Sequence, residues 1–251
     1  MKHCIYVIML GILILSCSFY RKERLTAIDF FGNSQYFDRN QLINLPTHVK
    51  MISSNEINLY IIDTKNTNRS FALGKNGEII NNGITGVDSS MNYYVAKKDA
   101  KFGLMYTGFK KSFAQKFNVD SLVTYSNLGK ENAKSFASNF EKLVFSSRDH
   151  HKKIAIEKFR LPEQPNGADS IYRFFNSDFT ITDFSLSKEL DERYQTKLVK
   201  IVFISNEKMK EGILVPRLET FYEIRQSEIN NKEEILSLFK QFDADAKKQG
   251  L

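Results

Sequence analysis

Short alternating or aromatic-rich runs, which are typical of strands, recur along most of the chain after residue 56. The first of them are Ile57–Ile62, Ser70–Leu73 and Glu78–Ile80. Asn76-Gly77 separates the last two runs, and Asn and Gly readily adopt the positive φ that a type I′ turn needs at both central positions. This dipeptide therefore predicts a β-hairpin.

The same pattern predicts a second hairpin and four later strands. Tyr93–Ala96 and Phe102–Tyr106 flank the polar segment Lys97–Lys101. β-branched and aromatic residues, which fit a pleated surface, are also dense nearer the C-terminus. The later predicted strands are Ile154–Phe159, Ile171–Phe175, Leu198–Ser205 and Leu218–Arg225.

Apolar residues at three- and four-residue spacing predict an internal helix and a C-terminal helix. A shorter helix is predicted at Ser187–Tyr194, with Ser187 as its cap. Asn231 is the expected cap of the C-terminal helix. The internal helix spans Lys130–Phe145, with a stripe of Ala133, Phe136, Ala137, Phe140, Leu143 and Val144; the C-terminal stripe is Ile235, Leu238, Phe239 and Phe242.

These elements predict an α+β fold: a mainly antiparallel sheet with an internal amphipathic helix and a C-terminal helix packed on it. The C-terminal stripe is expected to dock on the strands around Leu198–Ser205 and Leu218–Arg225. Residues 29–251 are expected to form one α+β domain. The turn-rich segment 161–167 contains two of the four prolines and is predicted to be either a surface loop or a boundary between two domains.

The N-terminus has the pattern of an export signal. Lys2 is the one formal charge before Arg21, and an apolar run extends from Ile5 to Leu15. This order of basic start, apolar stretch and small residues predicts a signal peptide over residues 1–16. A spanning helix needs about 20 predominantly apolar residues, so an uncleaved N-terminal membrane anchor is the alternative.

The end of that run, Ile14-Leu15-Ser16-Cys17, resembles the lipobox of bacterial lipoproteins. The resemblance covers the first 17 residues. It implies cleavage before Cys17, a diacylglycerol thioether on its sulfur and an acylated amino terminus. Residues 17–28 then form a lipidated tether, and the protein is expected on the cell membrane or outer membrane, facing the periplasm or the exterior. The alternative is an ordinary secreted protein in which Cys17 is simply a small residue.

Cysteine usage and charge bear on the expected chemistry. No cysteine follows Cys17, which excludes a disulfide framework or a Cys-based metal site from the processed chain. Removal of Lys2 leaves 35 basic against 29 acidic residues, a formal charge of +6. The basic residues are scattered along the sequence, whereas nucleic-acid binding needs them on one face, so no nucleic-acid partner is expected.

Asp149-His150-His151 resembles the namesake motif of the DHH phosphoesterases, in which such residues help to hold two metal ions. That resemblance implies further aspartates and histidines from separate strand ends, and His48 is the one other histidine after Cys17. Ser146–Lys153 is instead predicted to be an exposed basic loop. No metal or cofactor is expected.

Acidic and aromatic residues leave two functional alternatives open. Paired carboxylates could support a glycan or peptide hydrolase, and the aromatic content of 13% could include a ligand groove. The positions concerned are Asp63, Glu78, Asp88, Asp183 and Glu219 for the carboxylates, and Tyr93, Tyr94, Tyr172, Phe174 and Phe175 for the groove.

No G-x-S-x-G, G-x-G-x-x-G or phosphate-binding loop is present in the sequence. The sequence therefore favours a non-enzymatic binding or assembly module of the cell envelope, with membrane lipid at Cys17 and an envelope protein or glycan as partners. A lipid-anchored hydrolase and a purely structural protein are the alternatives.

Overall fold

The computed structural model describes residues 24–38, 40–73, 79–109, 114–119, 121, 142–149, 151, 153–162, 167–179, 184–210 and 212–251. For 64–73 and 79–88 the backbone alone is described. The predicted signal peptide, Cys17 and most of the predicted internal helix lie outside these residues. So do Asn76-Gly77, Glu78, His150, the segment 163–166 and Asp183.

Strands dominate the described residues, which contain 13 strands and two helices. The predicted mainly antiparallel sheet is confirmed, but the mixture of helix and sheet is less balanced than α+β implies. The strands are β1 (Thr26–Asp38), β2 (Gln41–Ser53), β3 (Ile57–Leu73), β4 (Ile79–Lys97), β5 (Phe102–Tyr106), β6 (Gln115–Asn118), β7 (Lys142–Asp149), β8 (Ile154–Arg160), β9 (Ser170–Asn176), β10 (Lys197–Ser205), β11 (Lys208–Lys210), β12 (Ile213–Val215) and β13 (Leu218–Gln226). The helices are α1 (Lys188–Tyr194) and α2 (Lys232–Lys248).

Eleven of these strands form one sheet in the order β6-β5-β4-β3-β2-β1-β13-β10-β9-β8-β7, and β11 pairs with β12 separately. Both predicted hairpins are present as antiparallel pairs, β3 with β4 and β4 with β5. The first strand lies in the middle of the sheet, between β2 and β13. It starts at Thr26, so the last three residues expected in the tether belong to it.

Alternation along the strands divides the buried residues into two clusters on opposite faces. In β1, Ile28 and Phe30 belong to one cluster and Ala27 to the other. In β3, Tyr60 joins the first cluster and Leu59 the second. Successive side chains of a strand point to opposite faces, so each face of the sheet has its own core.

Helix α1 covers the first of these faces, here called the α1 face. Ser187 caps it as predicted, and its hydroxyl accepts a hydrogen bond from the Leu190 amide at 3.4 Å. Leu190 is fully buried. Tyr194 packs on Phe175 with ring centroids 4.6 Å apart.

Helix α2 covers the other face, here called the α2 face, through the predicted stripe. Its four apolar residues are buried together with Leu59, Val95 and Leu104. The predicted docking position is therefore wrong, because the helix lies over β1–β5 and not over β10 and β13. Leu198, Ile201, Tyr222 and Ile224 of those strands point to the α1 face. Asn231 precedes the helix as expected, but its side chain makes no cap hydrogen bond.

A strand replaces the end of the predicted internal helix. Lys142–Phe145 is part of β7, and Leu143 pairs with Phe159 of β8. The apolar run Leu143-Val144-Phe145 suits a strand as well as a helical stripe, and pairing with β8 decides between them. The predicted loop at Ser146–Lys153 is likewise strand up to Asp149. The segment 161–167 lies between β8 and β9, which pair with each other.

Candidate binding surface

The α2 face has a second half, on β8, β9, β10, β13 and β1, which neither described helix covers. In β9, Ile171, Arg173 and Phe175 are buried on the α1 face, so Tyr172 and Phe174 point to the α2 face and are half-buried. The register places Tyr172 beside Lys158 of β8 and Val202 of β10. This region is called the open strip. Its cationic and aromatic side chains are those of Lys158, Tyr172, Phe174, Lys200, Phe221, Arg225 and Phe31.

Cations and aromatic rings alternate along the open strip. The Nζ of Lys158 lies 5.1 Å from the ring centroid of Tyr172. The Nζ of Lys200 lies between two rings, 5.8 Å from Phe174 and 5.2 Å from Phe221. Each distance is within the roughly 6 Å over which a ring face attracts a cation.

The strip continues onto the middle strands through a stack of three side chains. The guanidinium of Arg225 is 4.9 Å from the ring centroid of Phe31. The ring of His48 stacks on Phe31 at 4.7 Å, with 6° between the planes. Its Nε2 is 3.1 Å from Oδ1 of Asp29. The Arg225 side chain remains 61% exposed in this stack.

Glu223 fixes two of these cations. Its carboxylate lies 3.2 Å from Nζ of Lys200 and 2.6 Å from Nε of Arg225. Burial alone would raise the pKa of Glu223, but hydrogen bonds from Arg225 and Lys200 outweigh it and lower that pKa below its usual value. The carboxylate therefore stays ionised, and it orients the cations instead of acting as a general acid.

A cavity of about 500 Å³ lies at the end of the strip remote from Thr26. Three cations line it, and one carboxylate, Asp169, opposes them. Asp169 accepts a hydrogen bond from the Asn206 amide, which holds the chain after β10 against the start of β9. The cavity, here called the Arg217 hollow, is lined by Lys158, Arg160, Asp169, Tyr172, Asn206 and Arg217 among others.

Arg217 also lines a second cavity of about 490 Å³ with Asn33, Gln35, Glu219 and Phe221. A side-chain hydrogen bond joins β1 to β13 here: the Oε1 of Gln35 accepts from the Glu219 amide at 2.8 Å. The Arg217 side chain is 58% exposed, and its guanidinium lies 3.4 Å from the Glu219 carboxylate. The two cavities therefore meet at one accessible cation.

Of the candidate motif residues, Asp149 and His151 lie apart from this surface, whereas His48 is stacked on Phe31 of the strip. Asp149 ends β7, and its Oδ1 accepts a hydrogen bond from the amide of His151 at 3.0 Å. His48 lies on β2 near the middle of the sheet. Among the described residues no group of three or more His, Cys, Asp or Glu side chains is placed to hold a metal ion.

Some of the candidate carboxylates and aromatic residues lie on this surface, and the others lie elsewhere. Asp63 is exposed and accepts a hydrogen bond from Ser89 at 2.6 Å, whereas Glu219 lines the second cavity. The side chain of Asp88 is not among those described. Tyr93 packs in the core under α2, and Tyr94 packs with the α1-face core. Of the five aromatic positions singled out, Tyr172 lines the Arg217 hollow, Phe174 flanks it on the strip, and Phe175 is buried.

The α1 face contains a buried polar group that the sequence pattern does not predict. Arg173 is 2% exposed, with its guanidinium 4.6 Å from the ring centroid of Phe159. Burial, and then the charge and hydrogen bonding of Glu157, raise the pKa of Tyr194. A 270 Å³ cavity lies beside Tyr194, at the opposite end of the strands from the Arg217 hollow. An arginine inside an apolar run is the one signal that could have revealed this group.

Within the described part of the chain, no helix is long and apolar enough to span a membrane. No protein-family model matches the chain, and no curated protein does either. Among solved structures, the chain is similar to a DUF1329 family protein from Desulfovibrio piger, at 10% identity and a TM-score of 0.21. That alignment covers 86% of this chain and 90% of the other.

Proposed function

We propose that this chain is an exported, lipid-anchored protein of the cell envelope that acts as a non-enzymatic binding module. The export signal and lipobox-like residues before Cys17 support the anchor. The open strip supports the binding role. The partner is a component of the envelope that meets the strip from the side opposite α1.

The alternation of cations and rings on the part of the sheet that neither described helix covers is the observation that carries this proposal. Lys200 bridges Phe174 and Phe221 while Glu223 holds it in place. A charge fixed in this way needs little reorganisation when a ligand binds, and preorganisation is a main source of affinity. The half-buried rings supply apolar area beside each charge.

The anchor is tested by labelling cells with a fatty acid that can be detected on the protein. The wild-type chain should carry the label and remain with the membrane fraction, and Cys17→Ser should carry none and be released or unprocessed. A Cys17→Ala chain serves as a second variant without a sulfur atom. Wild-type protein that never acquires label would refute the lipoprotein assignment.

The binding role is tested by sedimentation with insoluble envelope material from which proteins have been removed. The double variant Lys158→Gln, Arg225→Gln removes two charges from the strip. The matched control, Lys153→Gln with Arg193→Gln, removes two exposed charges elsewhere. We expect the strip variant to lose most binding and the control to keep it. Equal loss in both, or no binding by the wild type, would show that the strip is not the binding surface.

A further inference from the structure

We propose that the Arg217 hollow binds an acidic sugar, with the sugar carboxylate held by Arg217 and its hydroxyl groups held by the neighbouring polar side chains. This inference deepens the proposed function, because it names the ligand class for one part of the open strip. Four features of the hollow carry it: its charge, its donor set, its size and its position.

Charge favours an anionic ligand of low charge density. Lys158, Arg160 and Arg217 line the hollow against Asp169, which leaves two positive charges in excess. The Arg217 side chain is exposed, and its ion pair with Glu219 spans 3.4 Å. Because exposed ion pairs contribute little stability, a ligand carboxylate can take over this arginine. A guanidinium and a carboxylate form two parallel hydrogen bonds with matched geometry.

The remaining lining suits hydroxyl groups. Ser170 and Asn206 offer a hydroxyl and an amide, and Asp169 offers carboxylate oxygens that accept hydrogen bonds from hydroxyls. Tyr172 supplies a ring at the side of the hollow, backed by Lys158. A polyphosphate would be repelled by Asp169, whereas a saccharide with one carboxylate per ring can turn that group toward the cations and its hydroxyl groups toward Asp169.

Size and position agree with a saccharide in solution. A volume of about 500 Å³ lies within the usual range of small-molecule sites, roughly 300–1,000 Å³. The second cavity begins at Arg217 and extends to Gln35, so a linear oligosaccharide could continue along it. Gln35 is nine residues beyond Thr26, which is about 30 Å along an extended strand. The first described strand therefore begins at the end of the sheet opposite the hollow.

The experiment uses the released form of the full chain with Cys17→Ser, so that neither an acyl group nor the apolar run Ile5–Leu15 can cause binding to vesicles. Isothermal titration calorimetry measures binding of a galacturonate hexasaccharide and of the same hexasaccharide as its neutral methyl ester. Phosphatidylglycerol vesicles and a single-stranded thymidine 12-mer are the other anionic probes. We expect the acid to bind and the ester, vesicles and 12-mer to bind at least tenfold more weakly.

Arg217→Gln should weaken binding of the acid by roughly 10–100-fold, since a charge-assisted hydrogen bond is lost. Arg193→Gln, which removes an exposed arginine from α1, is the matched control and should leave binding unchanged. Circular dichroism checks that both variants fold. Equal binding of acid and ester, tighter binding of vesicles or DNA, or no effect of Arg217→Gln would overturn the inference. If the acid fails to bind while the strip variant still loses sedimentation with envelope material, the proposed function stands and the ligand class is wrong.

Discussion

The position of helix α2 can be tested through Phe239, which is 3% exposed in the core between α2 and strands β1–β5. A phenylalanine side chain buries about 150–250 Å². At about 25 cal/mol per Å² this burial is worth ~4–6 kcal/mol. Alanine keeps part of that area, and the neighbours relax only in part, so Phe239→Ala should lower the free energy of unfolding by ~3–5 kcal/mol.

Urea denaturation followed by circular dichroism measures this loss, and the melting temperature should fall by roughly 6–20 °C for a chain of this size. Lys240→Ala changes an exposed residue of the same helix and should have little effect. A loss below about 1 kcal/mol for Phe239→Ala would mean that α2 does not contribute to the core. A chain truncated after Asn230 that melts like the full chain would lead to the same conclusion.

A double-mutant cycle tests which strands the helix covers. Phe239→Ala combined with Leu104→Ala changes two residues of one core cluster, and the two losses should couple by ~0.5–3 kcal/mol. Phe239→Ala combined with Ile201→Ala changes the two opposite faces of the sheet, and these losses should add. Coupling with Ile201 and additivity with Leu104 would place the helix on β10 and refute the reasoning.

Two further predictions concern the sheet itself. At Gly103 a Cβ atom would meet the carbonyl oxygen of Val95 and come within 2.6 Å of the Phe117 ring, so Gly103→Ala should cost roughly 1–3 kcal/mol in urea denaturation. Gly108→Ala, where a Cβ would meet nothing within 4 Å, is the control, and equal effects would contradict the packing described. The lowered pKa of Glu223 means that its ionised form stabilises the folded state above the unfolded-state pKa of about 4.3, and that this contribution is lost as pH falls through the folded-state pKa. Urea midpoints measured between pH 7 and pH 3 should therefore show that Glu223→Gln is less stable than the wild type at pH 7 and that the difference shrinks on acidification. A constant difference would contradict the role given to Glu223. The control, Glu189→Gln, changes an exposed residue and should have the same midpoints as the wild type throughout.

Local sequence patterns predicted the hairpins and the two described helices because each depends on a few neighbouring residues. Ser187 supplies a cap, and the alternation in Ile171–Phe175 requires a strand with two different faces. The same patterns could not show that β1 and β2 form a long hairpin. Pro46 and the polar run Gly32–Gln35 weaken the strand signal there, and pairing across 13 positions compensates for it.

The sequence patterns do not predict which strands pair with each other or which strands a helix covers. The stripe on α2 shows that the helix has a buried face, but it does not say which strands cover that face. The cations of the open strip appear scattered along the chain, with Lys158, Lys200 and Arg225 tens of residues apart. Antiparallel pairing of β8, β9, β10 and β13 brings them onto one face, which a prediction from sequence spacing alone cannot capture.

The central place of β1 has a consequence for the order in which the molecule can fold. Its pairing with β13 joins Ile28 to Gln226, roughly 200 positions later in the chain. The middle of the sheet therefore cannot be completed until nearly the whole chain is present, even though the hairpins on either side can form earlier. Contacts of such long sequence separation are associated with slow folding, and until β13 arrives β1 offers an unpaired edge to other chains. Under the export proposed above, the sheet could be completed only after Gln226 has crossed the membrane.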